Sequence, residues 1–157
     1  MFKIILFEPE IPPNTGNIIR LSANTGFDLH LVKPLGFLVD DKSLKRAGMD
    51  YMKRTHFKVW ESLDECLNNI SVSSIYSVTT KGKTCYTDID FKKGDTFIFG
   101  PESRGLTTEI REKYESIYMP MQSEGRSLNL ANAVAIITYE GWRQLGFNKS
   151  TLLYHSR

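Results

Sequence analysis

The stretch GRSLNLANAVAIITYEGW (residues 125–142) runs from a polar glycine-arginine turn into a helix that is apolar on nearly every side. A helix lying on one face of a sheet needs only an apolar stripe, so LNLANAVAIITY (residues 128–139) requires cover from a second surface. A small chain exposing such a helix would aggregate, which points to a subunit interface. Gly141, about 1 kcal/mol worse than alanine in a helix interior, reads as a point of close packing.

Upstream, short apolar runs alternate with helical segments. KIILF (residues 3–7) is a strand that the three prolines of EPEIPPNTG bring to an end. A helix follows, with Asn14 as its N-cap and Gly26 as its left-handed C-terminal residue. FDLHLV (27–32), FKVW (57–60), SIYSVTT (74–80), TFIFG (96–100) and SIYMPM (116–121) read as further strands. Between them, Asp40 or Asp41 caps a short basic helix reaching Ala47, and Ser62 with Glu65 has capping-box spacing. Helices over residues 107–114 and 128–145 complete the order. Strands separated by helices of this length predict an α/β fold with a largely parallel sheet covered on both faces. The length of 157 residues suits a single domain.

Apolar residues make up 41% of the chain and charged residues 24%, the balance of a soluble globular protein, and no run approaches the ~18 apolar residues of a membrane span. MFKIILFEPE reads as a buried strand rather than a secretory signal, so a cytoplasmic location and no membrane role are expected. Cys66 and Cys85 form no CxxC pair, and His30, His56 and His155 have no ligand spacing, so no metal is expected. A net charge of +2 decides little, because the placement of cations matters more than their sum. Lys42, Lys45, Arg46, Lys53 and Arg54 cluster, as do Lys81 with Lys83 and Lys92 with Lys93; each group is open between a solvated face and a phosphate contact.

Three glycine-bearing loops, PPNTGNIIR, FGPESRG and QSEGRSLN, fall where the strands end at their carboxyl termini, the usual ligand edge of an open α/β sheet. The first lacks G-x-G-x-x-G and the chain lacks a Walker motif, which argues against the common nucleotide folds. Local chemistry alone leaves each loop open between a turn and a ligand site.

EPEIPPNTGNIIRLSANTGF (8–27), FGPESRGL (99–106) and RSLNLANAVAIITYEGWRQLGF (126–147) stand in the order and spacing of the three signature regions of the SPOUT RNA ribose 2′-O-methyltransferases. The chain resembles most the small single-domain branch that methylates the wobble nucleotide, cytidine or modified uridine 34, of leucine tRNAs. DDKSLKRAGMDY (40–51) and TTKG (79–82) extend the likeness over nearly the whole chain.

That resemblance implies a domain over residues 1–157 with a deep trefoil knot at roughly 75–147, an exception to the rule against knotted connections, and a tail over 148–157. It also implies an obligate homodimer, S-adenosylmethionine as cofactor with S-adenosylhomocysteine as product, and no metal. Carried over by position, the cofactor residues are Val78, Gly100, Met119, Ser127 and Leu128, held largely through main-chain groups. Arg20 takes the catalytic position and Tyr139 lies near the active site and interface; Asn14, Glu102 and Asn129 organise the loops. A guanidinium stays protonated at neutral pH, so Arg20 is read as a charged group that holds the neighbouring phosphate and acidifies the ribose hydroxyl. Arg46 of the partner copy would grip an anticodon stem-loop. Ser103 replaces a common threonine and keeps its hydroxyl, whereas Ala131 replaces a frequent serine. Two other readings remain: a noncatalytic RNA-binding or assembly module, and a ribose methyltransferase acting on rRNA or another tRNA position.

Overall fold

The structure, a computed structural model, describes residues 1–39 and 57–150. The expected basic helix at 40–47, with Arg46, and the last residues of the tail lie outside the described residues. The elements run β1 (Lys3–Phe7), α1 (Pro12–Thr25), β2 (Asp28–Val32), β3 (Phe57–Trp60), α2 (Leu63–Asn69), β4 (Ile75–Val78), β5 (Thr84–Cys85), a short 3₁₀ turn (Tyr86–Asp88), β6 (Thr96–Phe99), α3 (Thr108–Lys113), β7 (Glu115–Tyr118) and α4 (Leu130–Gln144).

The seven strands form one sheet in the order β3-β2-β1-β6-β4-β7-β5, and every pair is parallel. This is the α/β architecture expected. β1 lies between β2 and β6, with Ile5 opposite His30 on one side and Ile98 on the other. Buried on both faces, it can be a continuous apolar run. Successive side chains point to opposite faces: Ile4 and Leu6 pack with Ile18 and Ile19 of α1 and Val134 and Ile137 of α4. Ile5 packs on the other side with Ile98, Cys66 of α2 and Ile110 of α3.

Helix boundaries show which local signals prevailed. Gly26 adopts the left-handed conformation at φ 78°, and its N–H donates to the Ser22 carbonyl at 2.7 Å. Ser62 caps α2, accepting from the Glu65 N–H at 3.1 Å, while the Glu65 carboxylate accepts from the Glu61 N–H. Asn14 does not cap α1. Pro12 and Pro13 fill the first helical positions, so the helix starts three residues earlier at an Ile11 cap that offers no side-chain acceptor. Asn14 falls in the first turn and its side chain serves elsewhere. β5 was not expected; its two residues are held by pairing with Ile117 and Tyr118 of β7.

α4 buries Leu130, Val134, Ile137, Thr138 and Trp142, while Ile136 and Tyr139 stay 36% and 47% exposed. On the buried side, a Cβ on Gly141 would lie 2.7 Å from two ring carbons of Phe2. That ring is fully buried and stands edge-on to Phe97, with centroids 5.6 Å apart, so it has little room to retreat. Overpacking costs about 1–3 kcal/mol and outweighs the ~1 kcal/mol helix-propensity gain of alanine. Gly141→Ala is therefore expected to lower stability in urea unfolding. In a cycle with Phe2→Leu the two changes should couple favourably, and simple additivity would show that the ring is not the obstacle.

His30 is buried on β2, where its Nδ1 accepts the Trp60 indole N–H at 3.2 Å. Removal from water holds its pKa down at about 4, and a second proton would also displace the indole donor. Because the folded value is depressed below the ordinary 6.5, the unfolded chain takes up the proton first. Stability from this group is thus intact above about pH 6.5 and falls by about 3 kcal/mol as the pH drops to about 4. His30→Gln, which keeps an acceptor but does not titrate, is expected to flatten the pH dependence of urea unfolding over that window. An unchanged slope would exclude His30 as its source.

Candidate functional site

β4, β6 and β7 are neighbours, and the loops leaving their carboxyl ends enclose a cavity of about 600 Å³. Val78, Phe99, Met119, Leu130 and Ala133 give it apolar walls; Gly100 to Leu106 and Arg126 to Asn129 supply main chain and polar groups. Its size lies within the ~300–1,000 Å³ of small-molecule sites, and apolar walls with a few fixed polar groups are their usual lining.

Two close main-chain approaches shape it. Where Gly82 lies, a Cβ would sit 2.4 Å from the carbonyl carbon of Ile117, so the 79–83 loop can lie against β7 only with glycine there. The Thr79 and Lys83 N–H groups then donate to the carbonyls of Ile117 and Ser116, at 3.0 and 2.9 Å. At Gly100 the missing Cβ would strike the Leu106 nitrogen at 2.4 Å. This glycine is thus required by the closure of its own loop, a reason that motif reading did not supply.

Hydrogen bonds join the segment after β1, the loop after β6 and the residue that caps α4. Glu102 Oε2 accepts from the Glu10 N–H at 2.8 Å, and Oε1 accepts from the Ile11 N–H and from Asn14 Nδ2, both at 3.2 Å. α1 has no acidic residue in its first turn and no side-chain cap, so this carboxylate from a distant loop serves its N-terminus. Asn14 Oδ1 in turn accepts from Asn129 Nδ2 at 2.9 Å, while Asn129 Oδ1 caps α4 by accepting from the Ala131 and Asn132 N–H groups. In the reverse direction, Glu10 accepts from the Ser103 hydroxyl and N–H, each at 2.8 Å. Those two bonds, side chain first, hold the Glu10 carboxyl below the usual carboxylate range.

Of the residues singled out by sequence, Asn14, Val78, Gly100, Glu102, Met119, Ser127, Leu128 and Asn129 all line the cavity. Arg20 and Tyr139 do not. Arg20 is exposed on α1, one residue from Leu21, which with Asn17 lines a shallower groove facing Ala131, Asn132 and Ala135. Tyr139 stands on the exposed side of α4, its ring 5.8 Å from that of Trp142. Arg46 lies outside the described residues. Sequence reasoning passed over Gly82, Glu8, Glu10, Arg104 and Arg126; the acidic EPE facing an ESR in another loop was the available signal. Among the described residues no cluster of histidine, cysteine and acidic side chains could hold a metal ion, and no helix is long and apolar enough to cross a membrane.

A parallel α/β sheet with its ligand cavity at the carboxyl edge, walled by three glycine-bearing loops, defines the class. A sequence profile described as the SpoU rRNA Methylase family matches residues 1–139, and the chain belongs to that family. It is 51% identical over 150 residues to a tRNA (cytidine(34)-2′-O)-methyltransferase of Aeromonas hydrophila subsp. hydrophila, covering 94% of this chain and 96% of that one. A solved structure presented as "Structural insights into the 2-OH methylation of C/U34 on tRNA" superposes with a TM-score of 0.90 at 38% identity, over 94% of this chain and 98% of the other. The SpoU methyltransferase AviRb from Streptomyces viridochromogenes, in complex with the cofactor AdoMet, shares the fold at a TM-score of 0.82 and 24% identity, over 93% of this chain and 61% of that one.

Hydrogen bonds to a charged group contribute about 1.5–3 kcal/mol. Glu102→Ala, which strips three donors of one acceptor, is therefore expected to lower unfolding stability by about 2 kcal/mol, with Glu102→Gln losing less. Wild-type stability in both would show that water replaces the carboxylate.

Proposed function

We propose that the protein transfers a methyl group from S-adenosylmethionine to the ribose 2′-hydroxyl of wobble nucleotide 34 in leucine tRNAs, in the cytoplasm. The observation that carries the reading is that all three signature regions contribute residues to one cavity, in a chain that matches a cytidine-34 methyltransferase along nearly its full length. AviRb, of the same fold, binds AdoMet, which supports the choice of cofactor.

Val78, Gly100, Met119, Ser127 and Leu128 would hold the cofactor, with the main chain around Gly100 and Leu128 reading its polar edges. Bound there, it supplies a methyl carbon on a cationic sulfur, which leaves as the neutral thioether of S-adenosylhomocysteine. The residues of this chain have to orient and to manage one proton. Orientation of two reactants is worth about 7–11 kcal/mol of barrier, and the cross-linked loops provide it. Arg20, charged, anchors the phosphate next to the target ribose and favours the alkoxide; the 2′-hydroxyl proton departs to that phosphate or to water. Tyr139 flanks the nucleotide.

The exposed side of α4, with Ile136 and Tyr139, suits a second copy of the chain, and a homodimer would bring Arg46 of that copy to the anticodon stem-loop. The C-terminal segment, roughly residues 75–147, would be threaded as a trefoil knot. A single-stranded loop presents an unstacked nucleotide, and its 2′-hydroxyl separates RNA from DNA.

Purified protein incubated with labelled S-adenosylmethionine and total tRNA is expected to place the label on the ribose of nucleotide 34 of leucine tRNAs. Arg20→Ala should bind the cofactor as the wild type does and lose transfer by about 100-fold or more. Label found at another position, or only on rRNA, would overturn the assignment.

A further inference from the structure

Glu8 is at the carboxyl end of β1 with φ 52°, in the left-handed region that glycine occupies freely and other residues avoid. Its N–H is fixed by the Val32 carbonyl at 2.9 Å, and its side chain, only 19% exposed, pairs with the Arg104 guanidinium. The other end of that guanidinium lies 3.7 Å from Glu10. Arg104 is in the loop that walls the cavity. A glycine would relieve the backbone at residue 8, so the glutamate stands there at a local cost, the pattern expected of a site that trades stability for activity.

We infer that Glu8 and Arg104 are positioning residues: they clamp the 101–105 loop in the shape that receives the cofactor. The inference rests on the cofactor reading above. An unclamped loop samples other shapes, and apparent affinity falls in proportion to the fraction of time the receptive shape is present. A wall formed a tenth of the time weakens binding about tenfold. Saturating cofactor restores the wall, so the transfer step keeps its rate.

The test compares Glu8→Gly, Arg104→Gln and Arg104→Lys with the wild type, using S-adenosylmethionine titration by calorimetry, thermal unfolding without cofactor, and transfer kinetics on tRNA. Glu8→Gly should unfold at about the wild-type temperature, because relief of the left-handed backbone offsets the lost ion pair, yet bind cofactor about tenfold more weakly. Its KM for cofactor should rise with kcat held. Arg104→Gln should behave alike in binding, and Arg104→Lys should recover part of the affinity. Wild-type affinity in both Glu8→Gly and Arg104→Gln would overturn the clamp while leaving the methyltransferase reading intact. Parallel loss of Tm and kcat in both would overturn it in favour of a purely structural role. A wild-type chain that does not bind the cofactor would remove the reading and the clamp together.

Discussion

The carboxylate of Glu102 sits where three segments distant in sequence have to agree. α1 begins with two prolines, which have no N–H, and the Asn14 and Thr15 N–H groups already donate to the Ile11 carbonyl; the Glu10 and Ile11 N–H groups just ahead of the helix need an acceptor from outside. Glu102 supplies it from 92 residues away. By accepting from Asn14 as well, it connects to the Asn129 cap of α4. The starts of the two helices that cover one face of the sheet are thereby fixed to each other and to the loop after β6. With both helix starts fixed, the cavity between them has a defined shape.

Behind the apolar walls of that cavity, main chain is pressed on main chain at two points. At Gly82 and Gly100 the nearest atoms to an added Cβ are backbone, which cannot step aside as a side chain could. A cavity framed this way has a shape that depends little on rotamers, and residues lining it, such as Val78 and Met119, can be ordinary apolar types. The arrangement also separates two surfaces: the cavity has the size of a small-molecule site, while Arg20 and Tyr139 stand outside its lining, on the exposed faces of α1 and α4.

Features set by neighbours in sequence were legible from the residues. The apolar run of β1, the Gly26 terminus and the Ser62 cap depend on a few adjacent residues, and the structure places each as expected. Asn14 misled because two signals coincided: asparagine is a good cap, but Pro12 and Pro13 set the helix start and left the amide for Glu102. β5 has two residues and no pattern of its own; only the edge of β7 makes it a strand. The pairings of Glu10 with Ser103 and Glu8 with Arg104 span more than ninety residues. They follow from β1 and β6 being neighbours, a fact of sheet order that no local pattern encodes. Motif resemblance led to most of the cavity lining, but not to the reason Gly82 is a glycine.

The sheet order also governs how the chain can be made. During synthesis β1, β2 and β3 emerge first and can pair, but the other edge of β1 must wait for β6. At roughly 5–20 residues per second, the ribosome leaves that central edge bare for a few seconds. Its unsatisfied N–H and carbonyl groups, flanked by apolar side chains, are a template for pairing with another nascent chain. That edge stays open to such pairing on the ribosome until residues 96–99 arrive to fill the gap.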